Sequence, residues 1–297
     1  MIEEIKTRID NLKVSIDSLY IQQNESLDVI VNSDKLHELR SSCKVLISMA
    51  TGIAIENKLF SLDENVYKYL EKYITNENNK HKIKQWTIKT LLTHTTGYSK
   101  THLTTTEINE KGLDKSNLID YILNIDIENE PNIKYVYNNV EPFILSVLFK
   151  EKHNIDIEDY INENIFKKID IAEYTWNRYG NYCPGCTGLY LYPKDFHKIG
   201  IILLNNGVYN GISLVPNDWI SYMTTTQIDT PDMIKRERLF PKYGAGYFTF
   251  ISRDGYVFRD GTNGQYIIIN KAKGLIISIM ASEKDVGKVT ELFRDIY

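Results

Sequence analysis

Two hydroxyls, a thiol and an amine stand together in one short stretch of the chain, Arg40-Ser41-Ser42-Cys43-Lys44. A serine hydroxyl becomes a nucleophile only when a neighbouring base takes its proton. Residues three apart share one face of a helix, so Ser41 and Lys44 meet if this stretch is helical, whereas Ser42 and Lys44 point apart. The spacing therefore predicts a Ser41–Lys44 pair, which is suited to acyl transfer.

The run that follows Ser41 determines what kind of base Lys44 can be. Lys44 opens the apolar stretch KVLISMATGIAIENKL, residues 44–59, which is typical of a helix buried in a large core. Burial disfavours the ammonium form of a lysine and favours the amine, which can accept a proton. A first-turn position also aims the backbone N–H of Ser41 at negative charge. The alternative is that Ser41 only caps the helix while Lys44 extends to solvent.

Strand patterns lie at both ends of the chain, around a mostly helical middle from residue 40 to about 234. We predict a helix at 2–12, strands within 13–23, 26–33, 244–255, 256–260, 265–274 and 275–282, and a last helix at 283–297. In the middle, residues 137–153 form a helix that Asn138 or Asn139 is able to cap. This order predicts one antiparallel sheet with a helical insertion, an α+β fold.

Length and composition exclude several classes of protein. With 297 residues and 42% hydrophobic residues, the chain can bury a large core as one domain or two subdomains. A net charge of −4 and a pI near 5.9 argue against nucleic acid or an anionic membrane as partner. The first residues, MIEEIKTRIDNLK, have no apolar signal region, and three cysteines suit a reducing compartment, so we expect a cytoplasmic protein.

Other motifs have structural explanations. Cys183-Pro-Gly-Cys186 has the spacing of a redox pair or half a zinc site, but no second pair completes a metal site, and we expect a structural loop. Neither G-x-S-x-G nor H-E-x-x-H occurs, so neither an α/β-hydrolase triad nor a metal centre is indicated. Five aromatic residues are expected either to line a substrate pocket or to pack in the core; they are Trp176, Tyr179, Tyr182, Tyr190 and Tyr247.

Six stretches in register with Ser41 carry a family resemblance. They are NKLFSLDENVYKYL, WTIKTLLTHTTGY, YVYNNVEPFILSVLF, TGLYLYPKDFHKIGIILLNNGVYNG, YGAGYF and GTNGQYIIIN. From Leu36 to Ser282 the chain resembles serine hydrolases of the β-lactamase/penicillin-binding-protein superfamily, especially class C-like esterases, D-aminopeptidases and aminohexanoate-oligomer hydrolases. The resemblance implies a β-lactamase/transpeptidase-like domain over 1–297. Its antiparallel sheet, flanked by terminal helices, would take about 1–40 and 240–297, and a mostly helical subdomain about 41–239.

The resemblance also implies roles for single residues. The family's S-x-x-K motif falls on Ser41 and Lys44, as nucleophile and base. Its Y-x-N motif falls on Tyr137 and Asn139, where the phenol would manage the serine proton. The segment 179–181 also spells Y-x-N but lacks a buried helix after it. The stretch LLTHTTGY, which contains His94, resembles a motif that forms a structural turn beneath the site in the family.

The strand motif departs from the family pattern. Penicillin-recognising members carry K-T-G or H-x-G there, with a cation that holds a substrate carboxylate, and this chain has Arg259-Asp260-Gly261. Arg259 remains able to hold a carboxylate unless Asp260 neutralises it or faces the other way. Gly261 would let a substrate lie against the backbone, and the N–H of Thr262 would complete an oxyanion hole with that of Ser41. The G-x-x-G-Q ending places Gln265 as a supporting residue.

The sequence thus predicts a serine hydrolase that forms an acyl-enzyme on a small ester, amide or peptide-like substrate, with no cofactor and no metal. One alternative is β-lactamase or D,D-peptidase activity, which the departure at Arg259 weakens. Another is a non-catalytic homologue that binds a ligand in the same cleft. A third is a thiol protein that uses Cys43 or the pair Cys183 and Cys186.

Overall fold

A computed structural model describes residues 2–233 and 242–293 and shows an α+β fold. The strands are β1 (Ile16–Gln23), β2 (Ser26–Val31), β3 (His37–Glu38), β4 (Thr175–Trp176), β5 (Leu189–Leu191), β6 (Val208–Tyr209), β7 (Ile212–Ser213), β8 (Ile228–Asp229), β9 (Gly244–Ala245), β10 (Phe250–Ile251), β11 (Tyr256–Gly261), β12 (Gln265–Asn270) and β13 (Leu275–Ala281).

The helices fill the interval between the terminal strands and also both ends of the chain. They are α1 (Ile2–Leu12), α2 (Lys44–Glu56), α3 (Tyr67–Leu70), α4 (Glu77–Ile83), α5 (Ile88–Leu92), α6 (Thr105–Glu110), α7 (Leu118–Asn124), α8 (Val140–His153), α9 (Ile157–Asn164), α10 (Pro193–Leu204), α11 (Asn217–Thr224) and α12 (Val286–Leu292). Short 3-10 helices cover Arg40–Cys43, Glu71–Tyr73, Lys115–Asn117, Phe166–Ile169, Pro231–Met233 and Arg253–Gly255. Within the described ranges, no helix has the length and apolar character needed to cross a membrane.

The largest sheet joins the two ends of the chain. Its strand order is β2-β1-β13-β12-β11-β10-β9-β8, and neighbouring strands are antiparallel. The predicted N-terminal hairpin is present, with Asn24 in its turn at φ 53°. The strands predicted within 256–260, 265–274 and 275–282 and the first helix are confirmed, whereas the strand predicted over 244–255 is divided into the short strands β9 and β10. The last helix is present as α12, and the part of that prediction over 294–297 lies outside the described residues. The division into a sheet subdomain and a helical subdomain stays a prediction.

The side chains of the central strands alternate between two apolar cores. Along β12, Ile267 and Ile269 belong to the core that contains α2, α8 and α10, whereas Tyr266 and Ile268 belong to the core under α1 and α12. This alternation follows from the two-residue period of a strand. Helix α10 packs on β13 and β12, and α1 packs against α12. The sheet is therefore covered by helices on both faces.

Candidate active site

The serine and the lysine of the S-x-x-K motif meet at the start of α2. Ser41 lies in the 3-10 helix Arg40–Cys43, which continues directly into α2 at Lys44. The two side chains face each other, with 3.0 Å between Lys44 Nζ and Ser41 Oγ. Lys44 is fully buried, so it does not extend to solvent. Ser42 points elsewhere and donates to the Gln265 carbonyl at 3.4 Å.

Tyr137 completes a triangle of polar atoms with this pair. Its Oη lies 2.9 Å from Lys44 Nζ and 2.8 Å from Ser41 Oγ. Two hydrogen bonds hold the loop before α8. Val136 N–H donates to the His94 carbonyl, and the Thr101 hydroxyl donates to the Tyr137 carbonyl. The other Y-x-N tyrosine, Tyr179, is buried in the core.

The two asparagines before α8 have different partners, which the sequence could not distinguish. Asn138 holds the start of the helix, since its Oδ1 accepts from the N–H groups of Asn139 at 2.9 Å and of Val140, the first helical residue, at 3.4 Å. Asn139 makes no such cap bond. Its Oδ1 accepts from Lys44 Nζ at 2.7 Å, and its Nδ2 donates to the Leu103 carbonyl, which fixes the orientation of the amide.

Hydrogen-bond chemistry then defines where the protons of Lys44 point. Its Nζ also lies 3.2 Å from the carbonyl of Cys186. That carbonyl and Asn139 Oδ1 can only accept, so they take two N–H bonds of Lys44 in either protonation state. The remaining position on Lys44 Nζ faces Ser41 and Tyr137. It holds a third N–H when Lys44 is an ammonium and a lone pair when Lys44 is an amine. Lys44 can therefore exchange one proton with the serine–tyrosine pair without losing its anchors.

Arg259 occupies the cation position of the strand motif but does not face the cavity. It is fully buried, and it donates from Nε to the Ser41 carbonyl at 3.0 Å and from Nη2 to Tyr137 Oη at 2.9 Å. Asp260 points the other way and pairs with Lys242 at 2.9 Å. Arg259 is thus engaged with Tyr137 and with the Ser41 carbonyl, and it is not directed at the cavity.

The surroundings of Tyr137 change its acidity. Burial alone raises the pKa of a phenol, but the charges of Lys44 and Arg259, together with hydrogen bonds to Lys44 and Ser41, outweigh it and lower the pKa of Tyr137 below its ordinary value. As a neutral phenol Tyr137 donates to Ser41. As a phenolate it accepts the Ser41 proton along the same contact.

The β11–β12 hairpin packs closely on the residues before Ser41. A Cβ on Gly261 would lie 2.7 Å from the Leu39 carbonyl and 3.0 Å from the Arg40 Cβ, so the glycine is required by the chain's own packing. Gly261 also lines the cavity, and the substrate approach that the sequence suggested for it stays a prediction. Gln265 holds the hairpin in place by donating to the Ala281 carbonyl at 2.7 Å.

A cavity of about 230 Å³ opens over Ser41, and Tyr137, Gly261 and Thr262 line it. The other lining residues are Arg40, Thr101, Thr104, Thr105, Thr106, Asn139, Thr187, Met233, Lys242 and Asp260. Asn139 and Asp260 belong to motifs noted in the sequence, whereas the threonines, Met233 and Lys242 belong to none, which explains why the sequence did not reveal them. The aromatic set around residues 176–190 lies outside this wall, with Trp176 and Tyr179 buried in the core.

His94 and the cysteines stand behind the site. His94 is buried and pairs through Nδ1 with Glu141 Oε2 at 2.9 Å, while its ring packs 5.4 Å from that of Tyr137. Burial lowers the pKa of His94, so the neutral imidazole is favoured. Cys43, Cys183 and Cys186 are free and buried, and burial raises the pKa of each thiol. No metal-binding cluster occurs in the part of the chain that the structure describes.

Comparison with known proteins identifies the family of this chain. The family model described as Beta-lactamase matches residues 25–294, which is most of the chain. No curated protein sequence matches the chain.

Solved structures show the same fold at low sequence identity. A protein described as a 6-aminohexanoate-dimer hydrolase, from Bacillus anthracis, is 16% identical with a TM-score of 0.78, over 98% of this chain and 80% of that one. A penicillin-binding protein from Bacillus halodurans is 16% identical with a TM-score of 0.74, over 99% of both chains. The D-amino acid amidase of Ochrobactrum anthropi SV3 is 12% identical with a TM-score of 0.77, over 99% of this chain and 97% of that one.

Proposed function

The chain belongs to the beta-lactamase family of hydrolases and has the β-lactamase/transpeptidase-like fold, and we propose that it is a serine hydrolase that works through an acyl-enzyme. Its substrate is a small ester, amide or peptide-like molecule. The observation that carries the proposal is the position of Ser41 Oγ, 3.0 Å from Lys44 Nζ and 2.8 Å from Tyr137 Oη, at the floor of an open cavity.

The first half of the reaction forms the acyl-enzyme. Ser41 Oγ attacks the substrate carbonyl while its proton passes to the Tyr137 phenolate, whose charge Lys44 and Arg259 stabilise. The proton then moves from Tyr137 to the leaving alcohol or amine as the bond to the acyl carbon breaks. Lys44 retains its bonds to Asn139 Oδ1 and the Cys186 carbonyl throughout, so it stays beside Tyr137 during the proton transfers.

The tetrahedral intermediate needs donors for its oxyanion. The backbone N–H groups of Ser41 and Thr262 would supply them, since both residues line the cavity from opposite elements, the 3-10 helix and the β11–β12 turn. The close packing of Gly261 on Leu39 brings these two elements together. Fixed donors of this kind stabilise the developing charge without rearrangement.

The second half of the reaction releases the acyl group. A water molecule takes the place of the leaving group, and Tyr137 accepts its proton as the hydroxide attacks the ester carbon. The tetrahedral intermediate then collapses, the bond to Ser41 Oγ breaks, and Ser41 recovers a proton from Tyr137. The net reaction consumes one water and needs no redox partner.

Two features support this reading over the alternatives. The intact contacts among Ser41, Lys44 and Tyr137 favour catalysis over simple ligand binding, because a binding protein has no need for a buried lysine beside a serine. The strand cation Arg259 is directed at Tyr137, so this strand does not offer the carboxylate site that penicillin recognition uses in relatives.

Ester turnover tests the proposal. With a series of 4-nitrophenyl esters, we expect Ser41→Ala to lower kcat/KM by about a thousandfold or more, as loss of a nucleophile does in other serine hydrolases. Ser42→Ala is the matched control, and we expect it to keep most of the wild-type rate because Ser42 faces Gln265. Equal rates for wild type and Ser41→Ala would refute the mechanism.

A further inference from the structure

A residue with an unusual backbone conformation stands behind the amide that binds Lys44. Leu103 is fully buried and left-handed, with φ 56°. Residues with a bulky side chain rarely adopt this conformation, and they keep it only where the surrounding contacts enforce it. The Leu103 carbonyl accepts from Asn139 Nδ2 at 3.0 Å, and Asn139 Oδ1 in turn accepts from Lys44 Nζ at 2.7 Å. The enforced conformation is therefore one contact away from the amide that holds the lysine.

The orientation of the Asn139 amide decides what Lys44 meets. The amide oxygen only accepts and the amide nitrogen only donates, so the amide stabilises the lysine ammonium only with Oδ1 towards Nζ. A reversed amide would place donors against the ammonium and favour the neutral amine. The Tyr137 phenolate would then lose one of the positive charges that stabilise it, since Lys44 Nζ lies 2.9 Å from Tyr137 Oη. The bond from Nδ2 to the Leu103 carbonyl prevents this reversal.

Glu107 of α6 is the side chain that holds Leu103. Its Oε2 accepts from the Leu103 N–H at 2.7 Å, while its Oε1 accepts from the Tyr121 hydroxyl at 2.7 Å and from Lys111 Nζ at 3.0 Å. His102 Nδ1 lies 3.0 Å from the same Oε1. Burial raises the pKa of this carboxyl, but hydrogen bonds from His102, Tyr121 and Lys111 outweigh burial and lower the pKa to about 2. Glu107 is thus a fixed carboxylate at neutral pH.

We propose that Glu107 is a positioning residue for the reaction: it holds Leu103 in the conformation whose carbonyl orients Asn139, and it acts through Asn139 on Lys44. Among the described residues that line the cavity over Ser41, Glu107 is absent, so it acts without contacting the substrate. What Leu103 requires is an acceptor for its N–H, and a negative charge is not essential for that contact. The kinetic test of this inference rests on the proposed function.

Turnover of a neutral 4-nitrophenyl ester measures the effect. We expect Glu107→Ala to lower kcat by about tenfold with little change in KM, a loss within the range for coupled residues of one hydrogen-bond network. Glu107→Gln should retain most of kcat, because its amide oxygen can accept from the Leu103 N–H. Glu107→Asp keeps the charge but is one methylene shorter, so it should lose more activity than Glu107→Gln. The comparison of these two variants decides the question even if Glu107→Ala does not fold.

A double-mutant cycle with Asn139 tests the route of the effect. Because Glu107 acts through Asn139, Glu107→Ala should change kcat by less than about twofold in the Asn139→Ala background. An equal loss of kcat in both backgrounds would overturn the inference. So would a Glu107→Asp protein that is as active as Glu107→Gln.

Glu64→Ala is the matched control. The Glu64 side chain is 15% exposed against 12% for Glu107, and it also accepts from a tyrosine, a lysine and a backbone N–H, those of Tyr69, Lys152 and Ser61. It is not among the described residues that line the cavity. We expect kcat to be unchanged in this variant. A loss of kcat equal to that of Glu107→Ala would assign the effect to general destabilisation and overturn the inference.

Crystal structures of the variants separate this inference from the proposed reaction. In Glu107→Ala, the distance from Asn139 Nδ2 to the Leu103 carbonyl, 3.0 Å in wild type, should open beyond hydrogen-bonding range, whereas Glu107→Gln and Glu64→Ala should keep it. If wild type hydrolyses no ester and reacts with no fluorophosphonate, the proposed function fails, and these structures alone decide the role of Glu107. An unchanged contact in Glu107→Ala would reject that role even if esters are hydrolysed.

Discussion

The choice of nucleophile depends on the direction of a few side chains. Ser41, Ser42 and Cys43 are neighbours in sequence, yet only Ser41 faces Lys44 and Tyr137. Ser42 and Cys43 are buried and contact carbonyl groups of Gln265 and Gly185. A buried thiol with a raised pKa is a poor nucleophile, which argues against the thiol alternative.

Arg259 acts on the reaction through Tyr137. Its guanidinium is one of two positive charges that lower the pKa of that phenol, and the phenolate is the form that takes a proton from Ser41. A lowered pKa means that the phenolate fraction, and with it the acylation rate, rises with pH through a midpoint below that of free tyrosine. Arg259 is therefore a positioning residue whose effect appears in the pH profile.

We expect Arg259→Gln to move the rising limb of kcat/KM for a neutral ester to higher pH and to lower the rate at neutral pH by roughly tenfold or more. Arg259→Lys should restore part of the shift, because it returns a positive charge near Tyr137. The measurement is a pH–rate profile for the three proteins. A lower rate with an unmoved midpoint would show that Arg259 only supports the structure.

The sequence predicted which candidate site residues would meet better than it predicted their setting. Helical spacing paired Ser41 with Lys44, and the family motifs added Tyr137 and Asn139. The direction of Arg259 could not be read from the sequence, since it depends on which strand face meets α2.

At the scale of elements, α2 is the support on which the nucleophile rests. It is buried from Lys44 to Ala54, and it packs against α8, α9 and α11. The contact with α11 is especially close, because Trp219 lies over Gly52 and donates from Nε1 to the Ser48 carbonyl at 2.8 Å. A Cβ on Gly52 would meet the indole ring at 2.3 Å.

Gly52→Ala tests this packing. Alanine favours a helix over glycine by about 0.5–1 kcal/mol, so the substitution would stabilise an uncrowded position. Here the clash with Trp219 should dominate and lower the free energy of unfolding by about 1–3 kcal/mol, as overpacking does in other cores. Urea denaturation followed by circular dichroism measures the change.

The double variant Gly52→Ala/Trp219→Leu supplies the control. A smaller side chain at 219 makes room for the new methyl group, so the two substitutions together should cost less than their sum. A stabilised Gly52→Ala protein, or strictly additive effects, would contradict the contact between α2 and α11.

The elements were largely predictable because their patterns are local. The runs that became α1, α2, α8, α10 and β11 to β13 have clear periodicity or turn residues at their ends. The capping of α8 was left open between Asn138 and Asn139, since either amide can cap a helix. What decided it was a tertiary contact, the bond from Lys44 to Asn139 Oδ1, which no local pattern contains.

At the scale of the whole molecule, the fold brings together three segments that are distant in the sequence. Ser41 and Lys44 begin the helical part, Tyr137 precedes α8, and Arg259 lies in β11, which Thr262 follows. The sequence predicted one antiparallel sheet but not the order of its strands, in which β1 lies beside β13. Pairing between strands from opposite ends of the chain cannot be recognised from a local sequence pattern. The family resemblance supplied what local physics could not.

The central claim is that Ser41 carries the acyl group during turnover. Intact-mass spectrometry with peptide mapping, after incubation with a 4-nitrophenyl ester, a fluorophosphonate or a penicillin, tests it most directly in wild type, Ser41→Ala and Ser42→Ala. We expect one adduct from the ester and the fluorophosphonate, mapped to Ser41, present in Ser42→Ala and absent from Ser41→Ala. An adduct that persists in Ser41→Ala, or that maps to Ser42 or Cys43, would contradict the account.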